Sequence, residues 1–495
     1  VSPTPRQAAN RRVIALVVLI IALGAFLRLY GLTAQSLWND ELSSYVRSHF
    51  DRAWPVIDDG ARYDGHPPGY LLLLFGVQKL FGHSEIALRL PSAIAGIISI
   101  WLIYLLGRRL YSWREGVIAA GLMAVLWAPV YYSQEARPYA FVILLSLLTT
   151  YLWLPFVPSS IVHRPSLWST AGYVLAALAA AYMHYFGLLL VTLQGATALF
   201  FALRARRGIV RVLVSYALVL IGYSPWLTFV GIQLGTQFAA PLPRPSLGIF
   251  VEFFRHIFYG PVYLVLLVLA LYGLALGVIV YRKISGRGPL HEPTGVSWSS
   301  LLLVAWLAAP MIVAFLESWL LLPIIQLRYL LICLPPAYLL LARAVVVLPL
   351  RGWGRRALAV GLIACFLLVL VGPIHYYSRP SKEQFRGVVA YVVRHDAAYP
   401  GALIVGSVWH ADYLNYYFEQ LGSARRTDLV AGNTEDLPLL VARMNARQPH
   451  YVWLVSAHLV PAPELLAYLD SHMTLVDYRQ FLGAAVWLYE NRGAQ

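Results

Sequence analysis

Asp40 and Glu41 follow Leu37 and Trp38 directly, which sets two adjacent carboxylates at the edge of an apolar run. A carboxylate in that position is partly desolvated, so its basicity rises and it suits a general base. The structural alternative is that Asp40 caps a helix beginning at Glu41. Three further turns combine ionisable and aromatic groups between apolar stretches: His66-Pro67-Pro68-Gly69-Tyr70, Ser133-Gln134-Glu135-Ala136-Arg137-Pro138-Tyr139 and His184-Tyr185-Phe186. Arg328-Tyr329 opens a fourth apolar run. Ionisable residues at membrane depth are rare and are commonly paired or functional. Each has its structural reading: a rigid helix start for the prolines, an ion pair closing a corner for Glu135 and Arg137, an interfacial ring for His184, and snorkelling for Arg328. Snorkelling accounts less well for several basic turns and an acidic pair on one side of a membrane.

Arginine and histidine suit phosphate oxygens, arginine through two parallel donors. No Gly-rich loop follows a predicted strand, so a nucleotide cofactor is not indicated. A phosphate carried on a lipid fits instead, because its chain can stay in the bilayer while the head group reaches the surface.

The elements that must present these groups are transmembrane helices. Of 495 residues, 59% are hydrophobic and 12% charged, about half the charged share of a soluble domain. With a mean hydropathy of +0.65 this excludes a soluble enzyme and a disordered chain. Only three of the 38 basic residues are lysines, Lys79, Lys283 and Lys382. Many of the arginines fall in short loops: Arg108-Arg109 with Arg114, Arg204 to Arg207, Arg282-Lys283 with Arg287, and Arg351 with Arg355-Arg356. The positive-inside rule makes these loops cytoplasmic, along with the amino terminus at Arg6, Arg11 and Arg12, so the charge of +15 is no argument for nucleic acid. Cys333 and Cys365 lie in apolar runs and support neither a metal site nor redox chemistry.

Spans of roughly 20 residues are predicted at 13–30, 89–106, 116–132, 138–156, 169–184, 186–203, 209–230, 260–281, 298–316, 327–348 and 356–373, about eleven in all. The apolar stretch 67–81 is too short and carries Gln78 and Lys79, so it reads as interfacial. An odd count puts the carboxyl terminus outside. The loops holding the acidic pair, Gln134, His184, residues 231–259 and Gln326 should then share one face. After residue 373 the composition changes, with 11 of the 23 acidic residues in this tail. Helices near 384–394 and 463–470, strands at 402–408 and 451–455, and a hairpin around Gly483 suggest a small external α/β domain. The expected division is therefore 1–373, a transmembrane catalytic domain with an external loop at 32–88, and 374–495, an external soluble domain.

In this order and spacing the motifs match a known pattern. Trp38-Asn39-Asp40-Glu41, His66-Pro67-Pro68-Gly69-Tyr70, Ala87-Leu88-Arg89-Leu90-Pro91-Ser92, Gly107-Arg108-Arg109-Leu110, Ser133 to Tyr139, His184-Tyr185-Phe186-Gly187 and Arg328-Tyr329-Leu330 together cover most of the chain. The sequence resembles the bacterial branch of the protein O-mannosyltransferase and lipid A aminoarabinose transferase superfamily, membrane glycosyltransferases of the GT-C fold. The resemblance implies transfer of a hexosyl or pentosyl group from a polyprenyl-phosphate donor to a hydroxyl acceptor of the cell envelope, at the external face of the plasma membrane and with inversion. It maps the base to Asp40 and an orienting role to Glu41. It maps donor phosphate and substrate contacts to His66, Arg137 and Arg328, with Glu135, Tyr329 and Tyr70 beside them, and a candidate metal ligand to His184. No cofactor is required, and a divalent metal is optional. Relatives often carry a lysine near the Pro-Pro turn where this chain has Gly69-Tyr70, which shifts phosphate binding toward arginine. The competing functions are a lipid-linked sugar flippase or transporter and a catalytically silent GT-C-like subunit of a membrane complex. The absence of a clear internal repeat disfavours transport.

Overall fold

The computed structural model describes residues 5–157, 166–239, 242–285 and 298–491. Among them nine helices are long and apolar enough to cross a membrane, from Arg11–Leu29 and Glu85–Leu110 through to Tyr329–Val347 and Gly352–Val371. Two other predicted spans take different forms. Residues 116–132 fall on a broken pair, Trp113–Val125 and Trp127–Ser133, bent by 58°. The break sits at Leu126, whose backbone is extended (φ −66°, ψ 146°). Residues 169–184 form Leu167–Met183, a helix of 17 residues. The 67–81 stretch is the 13-residue helix Gly69–Phe81. Arg287 of the third basic loop lies outside the described residues.

The chain forms two compact units. The first comprises residues 1–30, 50–75 and 89–375 and contains most of the helical bundle. Close helix approach in this unit relies on glycine. A Cβ at Gly96 would stand 2.0 Å from Ser133 Oγ, and one at Gly69 would stand 2.6 Å from the Tyr182 carbonyl oxygen. Gly69 thus lets the start of its helix lie against the turn that precedes His184.

The second unit joins residues 31–49 and 76–88 to the tail from 376. Its centre is a five-stranded sheet of order β2-β1-β3-β5-β4. The strands are β1 (Leu403–Ser407), β2 (Leu429–Val430), β3 (Tyr451–Ala457), β4 (Met473–Phe481) and β5 (Ala484–Asn491). β1 pairs in parallel with β2 and β3, while β5 runs antiparallel to both β3 and β4. Apolar runs in β1 and β3 are buried throughout their centres, as expected for strands covered on both faces. Leu403, Val405, Val452, Leu454, Leu440, Leu465 and Tyr489 pack in one core. Gly483, at φ +62°, makes the β4–β5 turn. The helices Phe385–His395 and Pro463–His472 lie where the sequence placed them, and Ala411–Gln420 and Leu437–Arg447 were not foreseen.

Residues 31–49 cluster with the tail for a local reason. Residues 36–38 lack regular structure, so their backbone groups need partners from elsewhere. The tail supplies them, as described below.

Candidate active site

In the first unit, helix ends bring His66, Tyr139, His184 and Tyr329 together. Ring centroids are 5.0 Å apart for His66 and His184, 4.9 Å for His184 and Tyr329, and 5.7 Å for His66 and Tyr329. The Arg137 and Arg328 guanidinium groups both lie over the Tyr139 ring, at 5.8 and 5.7 Å from its centroid. Arg328 also lies 5.8 Å from the Tyr329 ring, and its Nε donates to Gln326 Oε1 at 2.8 Å. Glu135 and Arg137 are buried in the same corner. Tyr70 reaches this cluster through Ser92: the two hydroxyls are 3.5 Å apart, and Ser92 Oγ donates to the Arg137 carbonyl at 3.2 Å.

His184 ends one helix and begins the next. Its Nδ1 accepts the Phe186 backbone N–H at 3.1 Å, which caps the helix Tyr185–Ala205. An accepting Nδ1 carries no proton, so the neutral ring holds its proton on Nε2. That nitrogen is buried and meets no protein acceptor among the described residues. His66 is held from behind by Gln233, whose Nε2 donates to the carbonyls of Ala61 (2.8 Å) and His66 (3.0 Å). Tyr185 donates its hydroxyl to Gln233 Oε1, and Trp226 Nε1 donates to the Tyr185 hydroxyl. His66 Nδ1 stands 3.5 Å from Asp64 Oδ2.

The residues of this cluster do not by themselves make up a metal-ligand set. A neutral His184 presents an N–H at Nε2, and among the described residues no three His, Cys, Asp or Glu groups are gathered in ligating geometry. The cluster offers instead hydrogen-bond donors, two guanidinium groups and ring walls, the inventory of an oxyanion site.

Asp40 and Glu41 belong to the second unit. Their helix begins at Asn39, so Asp40 sits inside its first turn instead of capping it. A carboxylate there meets the positive end of the helix dipole. Asp40 is half-buried, with Asn39 Nδ2 at 3.4 Å from its Oδ1. Glu41 is wholly buried. Its Oε2 accepts the Trp38 N–H at 3.4 Å and lies 3.3 Å from Lys382 Nζ, itself buried. Lys382 and Gln233 were both missed in the sequence; only the scarcity of lysine marked Lys382 as unusual.

Residues 65–229, a third of the chain, match the family model described as dolichyl-phosphate-mannose-protein mannosyltransferase. The structure resembles ArnT from Cupriavidus metallidurans in the apo state, with a TM-score of 0.62 and 14% identity over 97% of this chain and 98% of that one. The same protein bound to undecaprenyl phosphate gives a TM-score of 0.59, 14% identity, and coverage of 95% and 97%. No curated protein sequence matches the chain. The fold is that of the GT-C membrane glycosyltransferases.

Proposed function

We propose, from its place in the GT-C superfamily of membrane glycosyltransferases, that this protein moves a sugar from a polyprenyl-phosphate donor to a hydroxyl acceptor at the external membrane face. The observation that carries the reading is the group formed by buried Arg137, half-buried Arg328 and the buried Nε2–H of His184 around Tyr139 and Tyr329. Cations and a neutral donor among aromatic walls suit a phosphate monoester or diester better than a carboxylate-rich or metal-bound substrate.

In the reaction, Asp40 takes the proton of the acceptor hydroxyl as its oxygen attacks the anomeric carbon. The bond between that carbon and the phosphate oxygen breaks, and its electron pair leaves with the polyprenyl phosphate. Attack opposite the leaving group inverts the anomeric centre. The growing phosphate charge is stabilised by donors that are already oriented, which costs no reorganisation in a poorly hydrated site. His184 contributes a neutral N–H, and His66, held by Gln233, lines the same pocket of rings. No metal step is needed.

The test is transfer by the purified protein from radiolabelled polyprenyl-phosphate mannose, glucose, galactose and arabinose, read as release of polyprenyl phosphate. Asp40→Asn is expected to lower kcat by ~10²–10⁴-fold while leaving donor binding intact. Wild-type turnover by that variant would remove Asp40 as the base. Failure of the wild-type protein on every donor, with each of lipid, glycan and peptide acceptors, would sink the transferase reading.

A further inference from the structure

We propose that Lys382 is a positioning residue for this reaction, closing a buried ion pair with Glu41 that holds the turn presenting Asp40. The inference rests on the transferase reading for its consequence, but its geometry stands within one compact unit.

The segment leading into the acidic pair has irregular backbone at residues 36–38. Its polar groups are taken up by a short stretch of the tail. Ser381 and Lys382 donate their backbone N–H groups to Gln35 Oε1 at 2.9 and 3.0 Å. Arg386 donates its backbone N–H to Ser36 Oγ at 3.2 Å, and its guanidinium donates to the carbonyls of Thr33 and Ala34, each at 3.0 Å. The Leu37 N–H donates to the Tyr417 hydroxyl at 2.5 Å, and the Asn39 N–H donates to Glu383 Oε2 at 3.1 Å. Glu383 is in turn fixed by His458, whose Nδ1 is 2.6 Å from Oε1.

Lys382 completes this set where it matters for chemistry. Glu41 directly follows Asp40 in the same helical turn, and its side chain is 0% exposed. A carboxylate so buried is held ionised only by a compensating cation and hydrogen bonds. Lys382 Nζ at 3.3 Å and the Trp38 N–H at 3.4 Å are two such partners. Glu41 therefore serves as the anchor of the turn that carries half-buried Asp40. The tail acts as the mould of the acidic turn.

The experiment uses the full chain in lipid nanodiscs. Hydrogen–deuterium exchange is followed across residues 33–45, and transfer is measured with the same four polyprenyl-phosphate sugars. In Lys382→Met, exchange of 33–45 is expected to rise about tenfold while residues 185–205 stay unchanged. Its kcat should fall tenfold to a hundredfold with donor KM within about twofold. The double variant Glu41→Gln/Lys382→Met, which removes the buried negative charge as well, should recover protection relative to Lys382→Met. Unchanged exchange in Lys382→Met overturns the clamp. Raised exchange with wild-type kcat overturns the positioning role, leaving a purely structural contact. A wild-type protein inactive on all four donors counts against the transferase reading alone, because the exchange data still decide the clamp.

Discussion

Arg28 Nε donates to Ser133 Oγ at 3.2 Å, joining the first helix to the last residue of the broken span. Its other nitrogens donate to the carbonyls of Gly24 (2.9 Å), Ala124 (3.1 Å) and Met123 (2.8 Å). Two of those carbonyls end the helix Trp113–Val125, where the chain breaks at Leu126 and no further turn supplies donors. Gln134 Nε2 adds donations to the carbonyls of Arg28 (3.0 Å) and Tyr30 (2.8 Å). This fully buried arginine thus fixes the turn that carries Glu135 and Arg137. Arg28→Leu is expected to lower thermal stability in detergent, since each stranded buried carbonyl costs about 1–3 kcal/mol. Arg28→Lys should recover only part, because one ammonium cannot span the sites a guanidinium reaches. An Arg28→Leu protein that melts with the wild type would show that the turn is held by other means.

Capping and ligand contact at His184 are separable. Serine at an N-cap also accepts a backbone N–H, so His184→Ser should keep the helix start and stay within ~1 kcal/mol of wild-type stability. It removes the Nε2–H, so donor KM should rise. His184→Ala should lose both the cap and the contact. On the proposed reading, in which His184 serves as a hydrogen-bond donor, treatment with EDTA is expected to leave turnover of the wild type unchanged. Loss of activity on chelation, restored by a divalent ion, would return His184 to the role of metal ligand.

Arg137 and Arg328 share the Tyr139 ring, so their effects should appear as phosphate affinity. A hydrogen bond to a charged group contributes about 1.5–3 kcal/mol, which corresponds to roughly 10–150-fold in affinity. Arg137→Gln and Arg328→Gln are each expected to weaken binding of polyprenyl phosphate by that range, measured by native mass spectrometry. Binding of the uncharged polyprenol should not change. Equal weakening for both lipids would mean that the arginines shape the bundle without meeting a phosphate.

What the sequence made legible was whatever rests on composition and period. The apolar runs located the spanning helices because hydrocarbon demands some twenty consecutive apolar residues. The buried strands β1 and β3 and the Gly483 turn were visible for similar local reasons. His66, Arg137, His184 and Arg328 stood out because polar groups are costly in apolar surroundings. Partners across long separations left no such mark. Glu41 and Lys382 lie 341 positions apart and meet only in three dimensions. Gln233 looks like an ordinary polar residue in a helix until its two carbonyl contacts are seen. The kink at Leu126 was equally hidden, since residues 116–132 read as one continuous apolar run. The grouping of residues 31–49 with the tail depends on backbone hydrogen bonds, which carry no residue-type signature.

Tyr417 gives the last prediction. Its hydroxyl accepts the Leu37 N–H and donates to Glu85 Oε1 at 2.7 Å, while Arg386 meets the other Glu85 oxygen at 3.0 Å. Burial, and then the neighbouring Glu85 carboxylate, push the phenol well above its ordinary value of 10. A group whose pKa is raised on folding contributes stability that is complete below the unfolded value and lost as pH climbs beyond it. The wild type should therefore lose stability as pH rises from 9 to 11, because the unfolded chain gives up this proton and the folded chain keeps it. Tyr417→Phe leaves Leu37 N–H and Glu85 short of a partner, so it should be less stable by about 1–3 kcal/mol at neutral pH. It should also lose less stability than the wild type over the alkaline interval. Thermal unfolding of both proteins at several pH values checks this. Parallel alkaline slopes would mean that Tyr417 ionises as readily in the folded chain as in the unfolded one, and that the junction between residues 36–37 and Glu85 is open to water.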